Sequence, residues 1–288
     1  MKKRNFFVTV ITVISLFVCL MGCGNTDITP SSNPDVSTET IVSVAPNLTE
    51  IVCALGKEDS LVARSNSCDY PETVKDLPSV GDFYAPDIEK IVSLSPDLVL
   101  ISDVMNEDDI QKLESLGTRV LVLNDSTTLS GVYNMISELG NEIDKKSEAE
   151  AIINDMKKSI DETISKTEGL EKPTVYYVIG YGEGGDYTAT GDTFISDILN
   201  TAGAINIAQD GTSWYYSLEQ LIANDPDIII INEAMKEDFL NCESYKMLTA
   251  VKENKVFGID SSLLDRQGPR NADAVKEIAK ILHPEAFN

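Results

Sequence analysis

The stretch "DIEKIVSLSPDLVLIS", residues Asp87–Ser102, decides the fold because a second stretch of the chain repeats its pattern. In "SLEQLIANDPDIIIIN", residues Ser217–Asn232, the same order of polar and apolar positions returns at an offset of 130 residues, which places Leu218 on Ile88. Each copy predicts a short capped helix, a Pro-Asp turn and a buried apolar strand. The identical pairs are Glu89 and Glu219, Pro96 and Pro226, Asp97 and Asp227, and Ile101 and Ile231.

The repeat lies in a chain whose predicted strands and helices alternate, which is typical of βα units in a mainly parallel sheet. We predict an α/β fold with two α/β lobes, residues 41–144 and 173–288, joined by one long helix within residues 145–172. That helix is predicted from Ser147–Thr167, which has helical apolar spacing and contains neither Gly nor Pro. Another helix is predicted around Phe239–Glu253. Because ligands of open α/β sheets bind beyond the carboxyl ends of the strands, we expect the lobes to face across a cleft.

The N-terminus carries the pattern of a secretory signal. A basic cluster, "KKR", precedes an apolar run that ends at Met21 and is shorter than the roughly 20 residues of a membrane-spanning helix. The ending "LMGC" resembles the lipobox of bacterial lipoproteins, which implies cleavage after Gly22 and a diacylglycerol on Cys23. An ordinary signal with an incidental cysteine is the alternative. The predicted segments are a signal peptide, residues 1–22, and a flexible linker rich in Ser, Thr, Pro and Asp, residues 23–40.

The composition excludes several classes of protein. A net charge of −24 argues against binding to nucleic acid and against lying flat on anionic lipid. Cys53, Cys68 and Cys242 do not form a CxxC motif. They are compatible either with three free thiols or with one disulfide and one free thiol. The only histidine, His283, cannot by itself build a transition-metal site on imidazoles, so no metal site is predicted.

Catalysis finds little support in the sequence. The chain contains no G-x-S-x-G motif and no phosphate-binding G-x-x-x-x-G-K-[ST] loop, and its single histidine disfavours a hydrolase triad. A carboxylate pair for glycoside hydrolysis stays open because acidic residues are plentiful. We predict a protein that is not an enzyme, with no catalytic residue and no cofactor.

Several motifs, in order along the chain, resemble the solute-binding lipoproteins of ABC importers that handle cobalamin, haem and ferric siderophores. They are "SVAPNLTEIVCALG", "CDYP", "LPSVGDFYAPDIEKIVSLSPDLVLIS", "GDTFISDILNTAGAINIA" and "DRQGPR". The resemblance implies the class III periplasmic-binding-protein fold and one ligand captured in the cleft. It also implies a monomer, lipid-anchored at the outer face of the cytoplasmic membrane, that serves an ABC permease dimer with its ATPase subunits.

Glu89 and Glu219 allow two interpretations. A carboxylate in the first turn of a helix favours the helix dipole, which would explain an acid there in either copy. The resemblance implies instead that each lobe presents one glutamate to an arginine of a permease subunit. Both interpretations can hold together.

Aromatic side chains in predicted loops indicate a ligand with a large, flat and mostly apolar face. Phe83 and Trp214 precede the two repeat helices in corresponding places, so we expect them on opposite walls of the cleft. The alternative is that several of these rings anchor their own loops to the core. The predicted ligand-binding residues are Pro46, Asn47, Arg64, Tyr70, Phe83, Tyr84, Tyr181, Trp214, Tyr215 and Arg266.

The arginines decide the rank of the ligands. In one interpretation the arginines bind the ligand, because guanidinium groups recognise carboxylates and phosphates. In the other, Arg266 forms a weak surface ion pair with Asp265, and Arg270 simply begins a helix after Pro269. A trianionic ferric catecholate should need several free arginines, and haem should need an axial ligand. Cobalamin carries little net charge and suits aromatic walls. The predicted order is therefore cobalamin or another corrinoid, then haem, then a siderophore.

Overall fold

The structure is a computed structural model that describes residues 39–102 and 105–288. The predicted signal peptide, the lipid site at Cys23 and nearly all of the predicted linker lie outside the described residues. Within the described part of the chain, no helix combines the length and the hydrophobicity needed to cross a membrane.

The first sheet contains four parallel strands in the order β2-β1-β3-β4. The apolar half of the first repeat forms β3 at its centre, and every residue of this strand is buried. Helices connect the strands as βα units, as the alternation predicts. The strands are β1 (Ile41–Ser43), β2 (Leu61–Arg64), β3 (Leu98–Ser102) and β4 (Val120–Leu123), and the helices are α1 (Pro46–Ala54), α2 (Ile88–Ser93), α3 (Glu107–Ser115) and α4 (Leu129–Glu142).

The second sheet has the order β6-β5-β8-β9, with β7 also paired to β5, and only β6 is antiparallel. The second repeat supplies β8, again a central strand. Its strands are β5 (Thr174–Gly180), β6 (Tyr187–Thr188), β7 (Ile205–Asn206), β8 (Ile228–Asn232) and β9 (Val256–Ile259). The remaining helices are α6 (Phe194–Thr201), α7 (Leu218–Asn224), α8 (Lys236–Asn241), α9 (Thr249–Lys252), α10 (Ser262–Asp265) and α11 (Asn271–Leu282).

One long helix, α5, runs between the two sheets in sequence and spans Lys146–Thr167, 22 residues. It packs against α4 of the first lobe and α11 of the second. Its buried side chains, Ala149, Met156, Ile160 and Thr163, recur at helical spacing. The predicted α/β fold with two mainly parallel sheets is confirmed.

The Pro-Asp turns of the repeat have a shared structural purpose. Asp97 Oδ2 accepts hydrogen bonds of 2.8 Å from both the backbone N–H and the hydroxyl of Thr40, just before β1. Asp227 Oδ2 accepts the same pair from Thr174, at 2.8 and 2.6 Å, at the start of β5. Each aspartate therefore ties the entry of its central strand to the neighbouring strand.

The predicted helix around Phe239–Glu253 is wrong as a single element. The chain is extended at Cys242 and Leu248, which separates α8 from a 3-10 turn and from α9. This break turns Tyr245 into the core, where its hydroxyl donates to Asp186 Oδ1 at 2.5 Å. The predicted single helix is thus interrupted where the Tyr245 hydroxyl forms its buried hydrogen bond with Asp186.

The three cysteines in the described residues are free thiols. Cys68 is buried and accepts a hydrogen bond from Thr49 Oγ1 at 3.1 Å, and burial raises the pKa of the Cys53 thiol to about 12. The environment of Cys53 therefore favours the neutral, unreactive thiol.

Candidate functional site

A pocket of about 520 Å³ opens where the carboxyl ends of the strands in both lobes converge. The first lobe contributes the segment after β4, and the second contributes the end of β5, the start of α6 and the segment around α10. The lining residues are Asp125, Ser126, Thr127, Ile179, Asp192, Thr193, Phe194, Ile195, Trp214, Leu264, Asp265 and Gln267.

Trp214 is the one predicted ligand-binding residue that lines this pocket. Trp214 is 41 % exposed, although tryptophan is highly buried on average in folded proteins. Ile179 and Phe194 add apolar surface beside it. The wall formed by these residues can pack against a flat apolar ligand.

The remaining predicted aromatics occupy different environments. Tyr84 and Tyr215 are 67 % and 55 % exposed, so both rings are available to a ligand or a partner. Phe83 is partly buried and packs against two hydrophobic clusters, one within the first lobe and one that contains residues of both lobes, with the Tyr84 ring centroid 4.8 Å from its own. Tyr181 packs edge-on against Phe239 at 5.1 Å. Phe83 and Tyr181 therefore anchor their loops, which is the alternative interpretation of these rings.

Arg64 does not present its guanidinium to the cleft. Its Nε, Nη1 and Nη2 donate to the backbone carbonyls of Val74, Ser65 and Lys75 at 2.8, 2.8 and 2.9 Å. The side chain thus closes the loop after β2. The predicted ligand-binding role of Arg64 is not supported by this geometry, because its donors are already used.

Arg266 and Arg270 converge on a carboxylate that the sequence did not single out. Glu50, on α1, is 4 % exposed at its side chain, and its Oε1 accepts from Arg266 Nη1 at 2.9 Å. Arg270 binds both oxygens, with Nη2 at 2.6 Å from Oε1 and Nε at 2.7 Å from Oε2. We call Glu50, Asp69, Arg266 and Arg270 the inter-lobe ion cluster.

Asp69, the fourth member of this cluster, and the neighbouring Tyr70 contact the two arginines. Arg266 also binds the half-exposed Asp69 at 2.7 Å, and the Arg270 guanidinium lies 4.1 Å from the ring centroid of Tyr70. The surface pair of Arg266 with Asp265 is therefore wrong, since Arg266 turns to the opposite lobe. Tyr70 is a cation–π partner of Arg270, which leaves only part of its ring for a ligand.

Polar contacts join the lobes beside the cluster. The buried Gln267 donates from Nε2 to the carbonyl of Ser126 at 2.8 Å and accepts from the Ser126 N–H at 2.8 Å. Asp197 on α6 accepts from the N–H of Leu129, the first residue of α4, at 2.8 Å. These bonds and the ion cluster connect the two lobes.

The electrostatics of the pocket are acidic. Its described lining contains three aspartates and no lysine, arginine or histidine. Burial raises the pKa of the Asp265 carboxyl, which the Ser261 hydroxyl opposes. The Thr190 hydroxyl and the Ser213 N–H lower the pKa of Asp192, which therefore stays ionised.

Pro46 and Asn47 are the first two residues of α1, the helix that carries Glu50. Pro46 occupies the first helical position, and the buried Asn47 contacts Met135 Sδ through Nδ2 at 3.7 Å. Both residues position Glu50, one turn later. Their predicted role as ligand contacts stays a prediction.

Glu89 and Glu219 occupy equivalent exposed sites on the two lobes. Each lies in the first turn of its repeat helix, after the caps Asp87 and Ser217, whose side chains accept from the N–H of the third helical residue. The caps already satisfy the helix ends, so neither glutamate is needed for capping. Both carboxylates remain available to a partner.

Sequence reasoning missed Glu50, Gln267 and Ser126. The available signal for Glu50 is an acid within the apolar run "LTEIVCALG", since a buried charge needs a partner. The Gln267 side chain bonds the backbone N–H and carbonyl of Ser126 in the other lobe. A single sequence carries no signal for a contact of a side chain with a distant backbone. Within residues 39–102 and 105–288, no cluster of His, Cys, Asp and Glu could hold a metal ion.

The sequence profile of the periplasmic binding protein family matches residues 41–263. The chain is 30 % identical to the Bacillus subtilis protein named uncharacterized ABC transporter substrate-binding lipoprotein YvrC, over 100 % of this chain and 99 % of that protein. The solved periplasmic vitamin B12 binding protein BtuF of Vibrio cholerae is 26 % identical with a TM-score of 0.72, and the match covers 87 % of this chain and 98 % of that one.

A solved periplasmic heme binding protein from Pseudomonas aeruginosa is 27 % identical with a TM-score of 0.76, over 85 % of this chain and 93 % of that one. These structures share the two-lobed class III fold that the sequence predicts. Since the family profile spans both sheets and α5, the chain belongs to the periplasmic binding protein family.

Proposed function

We propose that this protein is the substrate-binding component of an ABC importer and that it captures cobalamin or a related corrinoid between its lobes. The family match and the named relatives support the importer component. Members of this family are solute-binding proteins rather than enzymes, and we propose a binding role without catalysis for this chain.

The observation that carries the choice of ligand is the absence of an available guanidinium in the described part of the chain. Its four arginines are engaged: Arg64 with loop carbonyls, Arg119 with Glu39 and Glu142, and the other two with Glu50. A polyanionic chelate would enter an acidic pocket without a compensating cation. A corrinoid of little net charge has no such cost, and its amide rim can donate to Asp125 and Asp265.

The aromatic residues support the same ligand class. Trp214 lines the pocket, and Tyr215 and Tyr84 have exposed rings outside its lining, which a ligand larger than the pocket would reach under this proposal. Aromatic faces provide large contact areas with little loss of conformational entropy. The ligand itself is the metal-containing group, and the protein needs no further cofactor.

Haem is the second candidate, favoured by the fold and identity shared with the Pseudomonas aeruginosa protein. An axial ligand would have to come from an exposed hydroxyl such as that of Tyr84 or Tyr215. His283 is buried and lines two other pockets. One lies at the amino-terminal ends of β5 and β8 and the other at the end of α5, and neither shares a lining residue with the candidate site. A siderophore ranks third because it combines high negative charge with this acidic pocket.

For delivery, Glu89 and Glu219 would dock onto the two permease subunits, whose ATPase subunits power import. The protein would act as a monomer at the outer face of the cytoplasmic membrane, held by the lipid on Cys23 after removal of residues 1–22. The name of the Bacillus subtilis relative includes "lipoprotein", which supports this anchor. Because one long helix and the ion cluster join the lobes, capture would involve little closure.

The test uses the protein without residues 1–23 and follows tryptophan fluorescence during titration with cyanocobalamin, haemin and a ferric catecholate. Trp214 is the single tryptophan, so the signal reports on the pocket wall. Saturable quenching by cyanocobalamin at submicromolar concentration, matched by calorimetry, is the expected result. Binding of haemin or the catecholate alone would keep the importer component and reject the corrinoid.

A further inference from the structure

The loop that carries Trp214 has an uncommon backbone. Ser213 and Trp214 are consecutive residues with positive φ, 60° and 65°. Side chains with a Cβ disfavour this left-handed region, and a large residue such as tryptophan adopts it only when its surroundings enforce it. The conformation therefore requires specific partners.

Those partners are two side chains of the turn after β6. The Trp214 N–H donates to Thr190 Oγ1 at 3.1 Å, and the Ser213 N–H donates to Asp192 Oδ2 at 3.1 Å. The Thr190 hydroxyl in turn donates to Asp192 Oδ1 at 2.6 Å. One connected set of three hydrogen bonds thus receives both N–H groups of the left-handed pair.

The partner side chains are themselves fixed. Thr190 is fully buried. The loop packs closely against it at Gly211, where an added Cβ would lie only 2.9 Å from Thr190 Cγ2. The carbonyl of Trp214 also accepts from the N–H of Thr188 at 2.8 Å, which continues the pairing of this loop with β6. The backbone of Trp214 is therefore held on both sides while its indole stays exposed in the pocket.

We propose that Thr190 and Asp192 are positioning residues for ligand capture: Thr190, oriented by Asp192, holds Trp214 in the left-handed conformation that fixes the indole at the cleft before the ligand arrives. The inference rests on the proposed function in that Trp214 is the ligand wall. Fixing the wall in advance improves affinity, because the ligand does not have to order it on binding.

The decisive variant is Thr190→Val, which keeps the shape of the side chain and removes the hydroxyl. Thr190→Ser restores the hydroxyl, and Asp192→Ala removes the orienting carboxylate from an exposed site. The matched control is Thr188→Val, because the Thr188 hydroxyl is equally buried and bonds the Tyr177 carbonyl at 2.7 Å rather than the Trp214 loop. Circular dichroism verifies that each variant is folded.

The first measurement is made without ligand. Thr190→Val and Asp192→Ala should lower the fluorescence anisotropy of Trp214 and raise its quenching by acrylamide, whereas Thr190→Ser and Thr188→Val should match the parent protein. Equal anisotropy and quenching in all five proteins would overturn the proposal.

The second measurement is the Kd for cyanocobalamin by calorimetry. Thr190→Val should weaken binding by about three- to tenfold, the scale expected when a wall must be ordered by its ligand. In a Trp214→Ala background the same change should cost less than about twofold, because the effect acts through the indole. An equal loss in both backgrounds would assign Thr190 a general structural role. If the parent protein binds no corrinoid, the proposed function fails, and the fluorescence result still decides whether Thr190 holds the indole.

Discussion

At the scale of single residues, carboxylates organise this protein by accepting hydrogen bonds from defined donors. Asp97 and Asp227 close the strand entries, Asp192 fixes the tryptophan loop, and Glu50 joins the lobes. The repeated Pro-Asp turn made two of these aspartates visible in the sequence. Glu50 and Asp192 act on partners that are distant in the chain or belong to an unusual loop, which no local pattern reveals.

The Asp227 contact predicts a dependence of stability on pH. The Thr174 hydroxyl and then its N–H lower the pKa of Asp227 below the ordinary aspartate range. The stabilisation is therefore complete above about pH 4, the unfolded value, and is lost as the pH falls through the lower folded value. Asp227→Ala should lower the free energy of unfolding by about 1 kcal/mol at pH 7, since the site is largely exposed.

The measurement is urea denaturation of both proteins between pH 7 and pH 2.5. The difference between them should shrink towards the acid end of this range. Asp155→Ala, which removes an exposed carboxylate from α5, serves as the control and should show a small difference at every pH. A constant difference for Asp227→Ala would contradict the linkage.

The Glu50 carboxylate predicts a much larger effect. Glu50→Gln removes the charge that two largely buried guanidiniums share, and breaking a buried pair costs about 3–5 kcal/mol. Asp69→Asn is the comparison at the exposed edge of the same cluster, where Asp69 is 52 % exposed and the expected loss is below about 1 kcal/mol. Equal losses in chemical denaturation would show that burial does not determine the strength of this cluster.

At the scale of elements, the packing of α4 on α5 depends on a glycine. A Cβ at Gly140 would lie 2.5 Å from the Cβ of Ala149 and 3.1 Å from the Lys145 carbonyl. Gly140→Ala should therefore lower the free energy of unfolding by about 1 kcal/mol, although alanine favours helices by a similar amount. Gly184→Ala, with no atom within 4 Å of the added Cβ, should change it by less than about 0.5 kcal/mol. A stabilised Gly140→Ala protein would contradict this close approach.

Most elements follow from the periodicity of the sequence, and the exceptions have physical causes. Strands β3 and β8 could be predicted because each is an almost continuous run of apolar residues. The long helix α5 could be predicted because its apolar residues recur at helical spacing. The short strands β6 and β7, two residues each, lie below the length at which alternation is detectable. The aromatic residues were assigned to loops correctly, but whether a ring faces the cleft or the core depends on tertiary packing, as Phe83 and Tyr181 illustrate.

At the scale of the whole molecule, the internal repeat predicts how the protein meets a transporter. Glu89 and Glu219 are exposed first-turn acids on equivalent helices of the two lobes. The double variant Glu89→Ala, Glu219→Ala should keep its Kd for the ligand and reduce uptake into proteoliposomes that contain the permease by at least about tenfold, because a pair of interfacial charges is lost.

Glu107→Ala with Glu237→Ala is the matched control, since these are also first-turn acids, one in each lobe. This control should support uptake at the parent rate. Unchanged uptake by the Glu89 and Glu219 variant would exclude these residues as the docking pair, whatever the ligand is.

The inter-lobe ion cluster has a consequence for transport kinetics. Glu50, Arg266 and Arg270 bond the two lobes to each other without any ligand atom taking part, so the cluster restrains the distance between Glu89 and Glu219. A permease that recognises this distance meets the same surface on an empty and on a loaded protein. Empty molecules would then compete with loaded ones for the transporter, so the import rate would follow the loaded fraction rather than the total number of binding proteins on the membrane.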